Sequence, residues 1–197
     1  MWLVCGSHTI GKGWLLWEVG TLNVFPCPSM CSGHHAMGYL HMVGPSGEIH
    51  PLDLLLRPYR HVNETRHLVA GLAPPPNVKY WYDQHYSWNN VNSQDTSPVC
   101  LSTYNVNNPE LPGTPLITNA PWENEIVCVQ TDGKASNVWR FAHTYSTAKN
   151  GFWSTPRGNV SQDGRFFMFT SDWQDQLGAT GRVPDRYRTD VFVVELR

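Results

Sequence analysis

The chain alternates between short apolar runs and compact polar breaks, and no stretch sustains an apolar stripe at the helical period. Within residues 134–150, a longer stretch free of Gly and Pro, Val138-Trp139-Arg140-Phe141-Ala142-His143 alternates apolar and polar positions like a half-buried strand. Runs of the same kind recur at residues 37–43, 49–56, 98–104, 125–130, 165–171 and 190–196. Between them lie the turn signals Pro45-Ser46-Gly47, Thr131-Asp132-Gly133 and Gln162-Asp163-Gly164. Asp-Gly between alternating runs favours a tight hairpin, because Gly tolerates positive φ and Asp bonds the local backbone. The pattern predicts an all-β protein of antiparallel hairpins joined in series.

An internal repeat sharpens that expectation. Asn90-Val91-Asn92-Ser93-Gln94-Asp95 is echoed by Asn159-Val160-Ser161-Gln162-Asp163, one residue out of step. An apolar strand follows each copy, at residues 99–104 and 166–171, then a polar loop of variable length and a further strand, at 125–129 and 190–194. The first copy adds a fourth strand over 138–142. Four antiparallel strands per unit, repeated with insertions in one loop, is the pattern of propeller blades.

The stretch Arg157-Gly158-Asn159-Val160-Ser161-Gln162-Asp163-Gly164-Arg165, with Phe166-Phe167-Met168-Phe169-Thr170-Ser171-Asp172-Trp173 and the closing strand at 190–196, resembles the repeat of TolB-like or WD40-like bacterial β-propellers. More distantly, the chain is similar to oligogalacturonate lyases, whose propellers hold a metal by His and Gln near the axis. The resemblance implies a single propeller-like domain over 1–197, with blades near 33–72, 82–143 and 152–197 and a partial blade in 1–32. Blades run ~40–45 residues and a ring needs at least four. The expectation is therefore the C-terminal portion of a larger propeller, with a tight four-bladed ring as the alternative. An open arc would offer blade edges for self-association.

Composition narrows the function classes. Charged residues make up 15% of the chain, against the ~25% usual in soluble domains, and Gly (16), Pro (15) and aromatics (9 Trp) take their place. The net charge of −2 gives no large basic surface for a nucleic-acid backbone. No apolar run approaches the ~18 residues of a membrane span, and the start lacks a basic region before its short apolar stretch, a poor export signal. Localisation stays open between an envelope and the cytoplasm. Cys100 and Cys128 sit in apolar strand-like runs and read as reduced core thiols.

The candidate chemistry gathers where loops entering the inner strand of each blade meet the axis: residues 32–35, 82–88 and 143–157. They supply His35, Asp83, His85, His143 and Arg157 as lining for a polar axial pocket. His35, His85 and Arg157 are expected in one shared cavity, with His34 able to stand in for His35. Imidazoles and a guanidinium suit an anionic ligand; a divalent metal on His35 and His85 is possible if a carboxylate such as Asp83 joins. Cys27-Pro28-Ser29-Met30-Cys31 before His34-His35 has only a superficial likeness to a zinc cluster, because the His follow too closely and no second Cys pair exists. At the stretch matching the lyases' metal ligands, residues 153–159, there is no His or Gln, and Arg157 cannot ligate a metal. His143 beside Tyr145 could form an acid/base pair. The dense aromatics (Tyr80, Trp81, Tyr82, Tyr86, Trp88, Trp153, Trp173) could stack on sugars, but mostly read as wedges between sheets. No nucleophile elbow, phosphate loop or dinucleotide fingerprint is present. The sequence therefore favours a non-catalytic binding or scaffolding domain for a small molecule, carbohydrate or protein partner, with a polysaccharide lyase as the alternative.

Overall fold

The computed structural model describes residues 2–7, 13–27, 34–45, 54–69, 82–105, 121–132, 137–147, 154–178 and 188–197. Among these there is no helix, so no helix is long and apolar enough to cross a membrane. Fourteen strands form four antiparallel sheets, each a meander in chain order. The first sheet holds β1 (Trp2–Ser7), β2 (Gly13–Glu18) and β3 (Val24–Cys27). The second holds β4 (Ala36–Met37), β5 (His41–Pro45), β6 (Leu54–Pro58) and β7 (Arg66–Val69). The third holds β8 (Tyr82–Trp88), β9 (Val99–Asn105), β10 (Glu125–Val129) and β11 (Val138–His143). The fourth holds β12 (Asn159–Val160), β13 (Phe166–Ser171) and β14 (Asp190–Glu195).

Two local expectations are corrected. The apolar run at 37–43 is not one strand but the β4–β5 hairpin, closed by the Gly38 amide donating to the His41 carbonyl at 2.8 Å. Its exposed turn residues Tyr39 and Leu40 are apolar, so hydropathy alone hides the break. Gly38 is required there, since a Cβ would lie 2.4 Å from the Trp88 ring. Residues 82–88 are not a loop leading to an inner strand but the strand β8 itself. Residues 46–47 of the expected turn at 45–47, most of the strand at 49–56 and the end of the turn at 131–133 lie outside the described residues.

The internal repeat has a physical basis in the turn joining the first two strands of the third and fourth sheets. Asp95 accepts the Ser97 amide at 2.8 Å, and Asp163 accepts the Arg165 amide at 3.1 Å. Each carboxylate thereby folds the chain back into the next strand. In the second copy the Gly164 amide also donates to the Ser161 carbonyl at 2.9 Å, and Gly164 takes φ +71° with open space around its Cα.

The sheets stack face to face in chain order. Leu16 and Cys27 of the first meet Met42 and Tyr59 of the second. Val43, Leu54, Leu56 and Leu68 of the second meet Val99, Leu101, Val127 and Val129 of the third. Ile126 and the two half-cystines of the third meet Phe167 and Phe169 of the fourth. Alternate residues of β9 and β10 therefore serve two different cores, and every residue of β10 is buried. Each Leu- or Phe-sized side chain so covered contributes ~1.5–3 kcal/mol of apolar burial.

The reading of Cys100 and Cys128 as reduced thiols is overturned: they form a disulfide. The register places Cys128 directly across from Cys100 on neighbouring strands, their Cα atoms 4.0 Å apart. Period-two alternation hid that pairing, because it assigns a face but not a cross-strand partner. Cys27 is disulfide-bonded as well.

The third junction has a polar latch besides its apolar core. Asp172, fully buried, accepts the Thr147 amide at 2.9 Å and its hydroxyl, tying the chain after β13 to the chain after β11. Beside it Trp173 stacks on Phe192 and meets Tyr145 at a tilt of 48°, each with ring centroids 4.7 Å apart. These are the last residues of the Thr170-Ser171-Asp172-Trp173 stretch, and they act as a wedge.

Two outcomes are expected. Gly164→Val should destabilise the protein by ~1 kcal/mol or more through its positive φ alone; unchanged thermal unfolding would contradict the turn. Cys100→Ala with Cys128→Ala should cost about 3–4 kcal/mol, the loop-closure entropy of a 28-residue separation. Denaturant unfolding of the pair against the parent protein, with thiol titration confirming the bridge, measures it.

Candidate functional site

The first strands of the second, third and fourth sheets, β4, β8 and β12, run beside one another with β8 in the middle. The Val160 amide of β12 donates to Ser87 Oγ of β8 at 3.0 Å. Along β8, alternation puts Tyr86 and Trp88 against the core shared with the second sheet. Asp83, His85 and Ser87 take the other face.

Asp83 is the hub of a side-chain cluster. His34, just ahead of β4, donates Nδ1–H to the Gln84 carbonyl at 2.9 Å and stands 3.3 Å from Asp83 Oδ1. The Gln84 amide donates to Asp83 Oδ1 at 2.7 Å. On β9, directly across from Asp83, Tyr104 donates its hydroxyl to Asp83 Oδ2 at 2.9 Å and lies 3.4 Å from His85 Nε2. The His34 and His85 rings are 4.1 Å apart. Arg157, ahead of β12, is close enough to act electrostatically on His34, His85 and Tyr104. Its segment is anchored by Ser102 Oγ, which donates to the Pro156 carbonyl, and by the Arg157 amide on Thr170 Oγ1 at 3.4 Å.

Burial and charge fix the protonation of this cluster. The hydrogen bond to Asp83 raises the His34 pKa despite partial burial. Burial pushes Asp83 up, but bonds from His34, the Gln84 amide and Tyr104 outweigh it and hold the carboxylate below its usual range. His85 is driven down to about 4, first by burial and then by the neighbouring His34 charge. Burial and the Asp83 charge raise the Tyr104 phenol. At neutral pH Asp83 is therefore an anion, Tyr104 a phenol and His85 a neutral imidazole. The phenol has a single proton, which the carboxylate takes.

The structure joins His34, Asp83, His85 and Arg157 from three sheets, while His143 stands apart beside Glu125. His35 packs its Cβ 3.2 Å from the position a Cβ on Gly44 would take; His34 holds the place beside His85. His143 ends β11, with Nδ1 3.9 Å from Glu125 Oε1 and its ring 5.8 Å from Tyr145. There Glu125, nearly buried, accepts Arg140 Nε at 2.6 Å and its Nη2. Tyr104 was missed by sequence reasoning; its signal is the register that sets it opposite Asp83.

Among the described residues no three His, Cys, Asp or Glu side chains group to hold a metal. Asp83 is engaged by His34 and Tyr104. Cys27, disulfide-bonded, offers no thiolate to zinc; Cys31 lies outside the described residues. Of the aromatics, Tyr80, Trp81 and Trp153 also lie outside, while Tyr86, Trp88 and Trp173 pack between sheets.

Fold and site together define an all-β protein of four stacked antiparallel sheets with a polar cluster at adjoining first strands. Comparison with protein-family models, curated proteins and solved structures finds no match for this chain.

The electrostatics predict that His85 titrates near 4 in a proton-resolved NMR titration, well below the ordinary value of 6.5. Because its folded pKa is depressed, its contribution to stability is complete above ~6.5 and is lost as pH falls toward 4. His34→Ala should move the His85 midpoint upward by removing a neighbouring positive charge. A midpoint near 6.5 in the parent protein would contradict the buried arrangement.

Proposed function

We propose that the chain is a propeller-type binding domain whose inner-strand pocket takes an anionic ligand, with a carboxylated sugar as the chemistry that fits best. The observation that carries this reading is the meeting of residues from three different sheets: His34 beside Asp83, its ring 4.1 Å from that of His85, and Arg157 near enough to act on both imidazoles. Asp83 is already answered by His34, the Gln84 amide and Tyr104. The guanidinium is a fixed cation with a planar fork matched to a carboxylate, and a neutral imidazole beside it supplies one further donor. The Cys100–Cys128 bridge favours an oxidising compartment as the place of work, where acidic polysaccharides are met.

A second reading, β-elimination on an acidic polysaccharide, draws on one observation: a phenol within reach of both a carboxylate and an imidazole is an acid/base arrangement. The absence of His and Gln at residues 153–159 weighs against a lyase of the metal-holding kind.

Calorimetric titration with oligogalacturonides and with their neutral methyl esters tests the proposal. The acid form should bind, and the ester should bind at least ~10-fold more weakly, a difference of ~1.4 kcal/mol. Arg157→Ala should lose a similar factor, with Arg157→Lys in between. Affinity should fall as pH rises through the elevated His34 pKa, where one cation is lost. Equal affinity for acid and ester, or an unaffected Arg157→Ala variant, would overturn it; an unsaturated product absorbing in the ultraviolet would establish the lyase instead.

A further inference from the structure

Each inner junction of the stack is made by one face of a sheet and the opposite face of the next. Among the described residues, the two outermost faces have no such neighbour. On the fourth sheet, Phe167 and Phe169 face inward, while Met168, Val191 and Val193 point outward, the last two 61% and 63% exposed. On the first sheet, Leu16 faces inward, while Leu3, Trp17 and Val24 point outward and are exposed. The register brings Leu3, Trp17 and Val24 into one row across the three strands, and Met168 lies beside Val193 across two. Both faces are continuous apolar patches rather than scattered residues.

We infer that a second copy of this chain covers them, the fourth sheet of each copy stacking on the first sheet of the other. The argument is continuity with the junctions already described. The outer face of the fourth sheet is of the kind that, within the chain, is always covered by the leading face of a following sheet. The one leading face left uncovered among the described sheets belongs to the first, and it is apolar. Pairing these faces between two copies gives two identical junctions and closes a two-fold ring of eight sheets, within the four to eight blades of known rings. The area fits a reversible dimer. The strands of the first sheet total 16 residues and those of the fourth 14, so each face covers about 220–250 Å² at ordinary strand spacing and rise. Two such junctions bury about 950 Å² over both partners, the size of weak, reversible interfaces. The inference is independent of the polar cluster, which lies at the first strands inside the stack.

Sedimentation velocity on the full chain tests this with two variants at solvent-facing positions, Val193→Lys and Val24→Glu. Circular dichroism and thermal unfolding should match the parent protein for both, since neither side chain belongs to a core. The parent should sediment as a dimer at tens of micromolar, and each variant alone should drop to half that mass. An equimolar mixture of the two should regain the dimer, because one junction is then unaltered and the other opposes a cation to a carboxylate. A monomeric parent protein would overturn the inference. So would open-ended polymers, or a dimer that survives in Val24→Glu but not in Val193→Lys, which would mean that like faces meet.

Discussion

A β-sheet has two faces and a strand serves both in alternation; the whole arrangement follows from how the third sheet uses that fact. Val127 and Val129 of β10 point into the core shared with the second sheet, while Ile126 and Cys128 point into the core shared with the fourth. A strand buried on both faces cannot carry a polar stripe, which is why Glu125-Ile126-Val127-Cys128-Val129 reads as a nearly unbroken apolar run. It also cannot shift register by one residue without exchanging the two cores. The Cys100–Cys128 bridge lies across this strand pair, within the third core, and holds the register covalently.

The polar cluster is a consequence of the same stacking. If sheets follow one another face to face, their first strands come together, and β8 lies between β4 and β12. What each sheet contributes is then a matter of a single position: His34 ahead of one first strand, Asp83 and His85 on the next, Arg157 ahead of the third. Asp83 is kept ionised by three donors while His85, a few ångströms away, is kept neutral by burial and by the charge of His34. Both groups are thereby held deprotonated, one as an anion and the other as a neutral imidazole, with the Arg157 guanidinium as a cation nearby.

Much of the strand content was legible in the sequence, because period-two alternation and Asp-Gly turns are local properties. The strands at 125–129, 138–143, 166–171 and 190–195 fall where the short apolar and alternating runs put them, within a residue or so at either end. The β4–β5 hairpin was not legible, since its turn carries apolar Tyr39 and Leu40 and only the close approach of Trp88 explains Gly38. The cluster was legible as far as which segments converge, and illegible wherever register decides. Choosing His34 over His35, admitting Tyr104 opposite Asp83, and pairing Cys100 with Cys128 all depend on which residue lies across from which. No single run of sequence encodes that.

The repeat itself shows why fold and function separate in a chain like this. Its most distinctive residues are spent on structure: Asp95 and Asp163 close equivalent turns, Asp172 latches the third junction, and Trp173 wedges between Tyr145 and Phe192. A residue that must recur in every sheet to hold the stack cannot also be particular to one ligand. The residues of the cluster are the ones that do not repeat, with an imidazole at one sheet, a carboxylate and imidazole at the next and a guanidinium at the last. Similar scaffolding brings unlike side chains to one place, so the chemistry of the cluster resides in those differences.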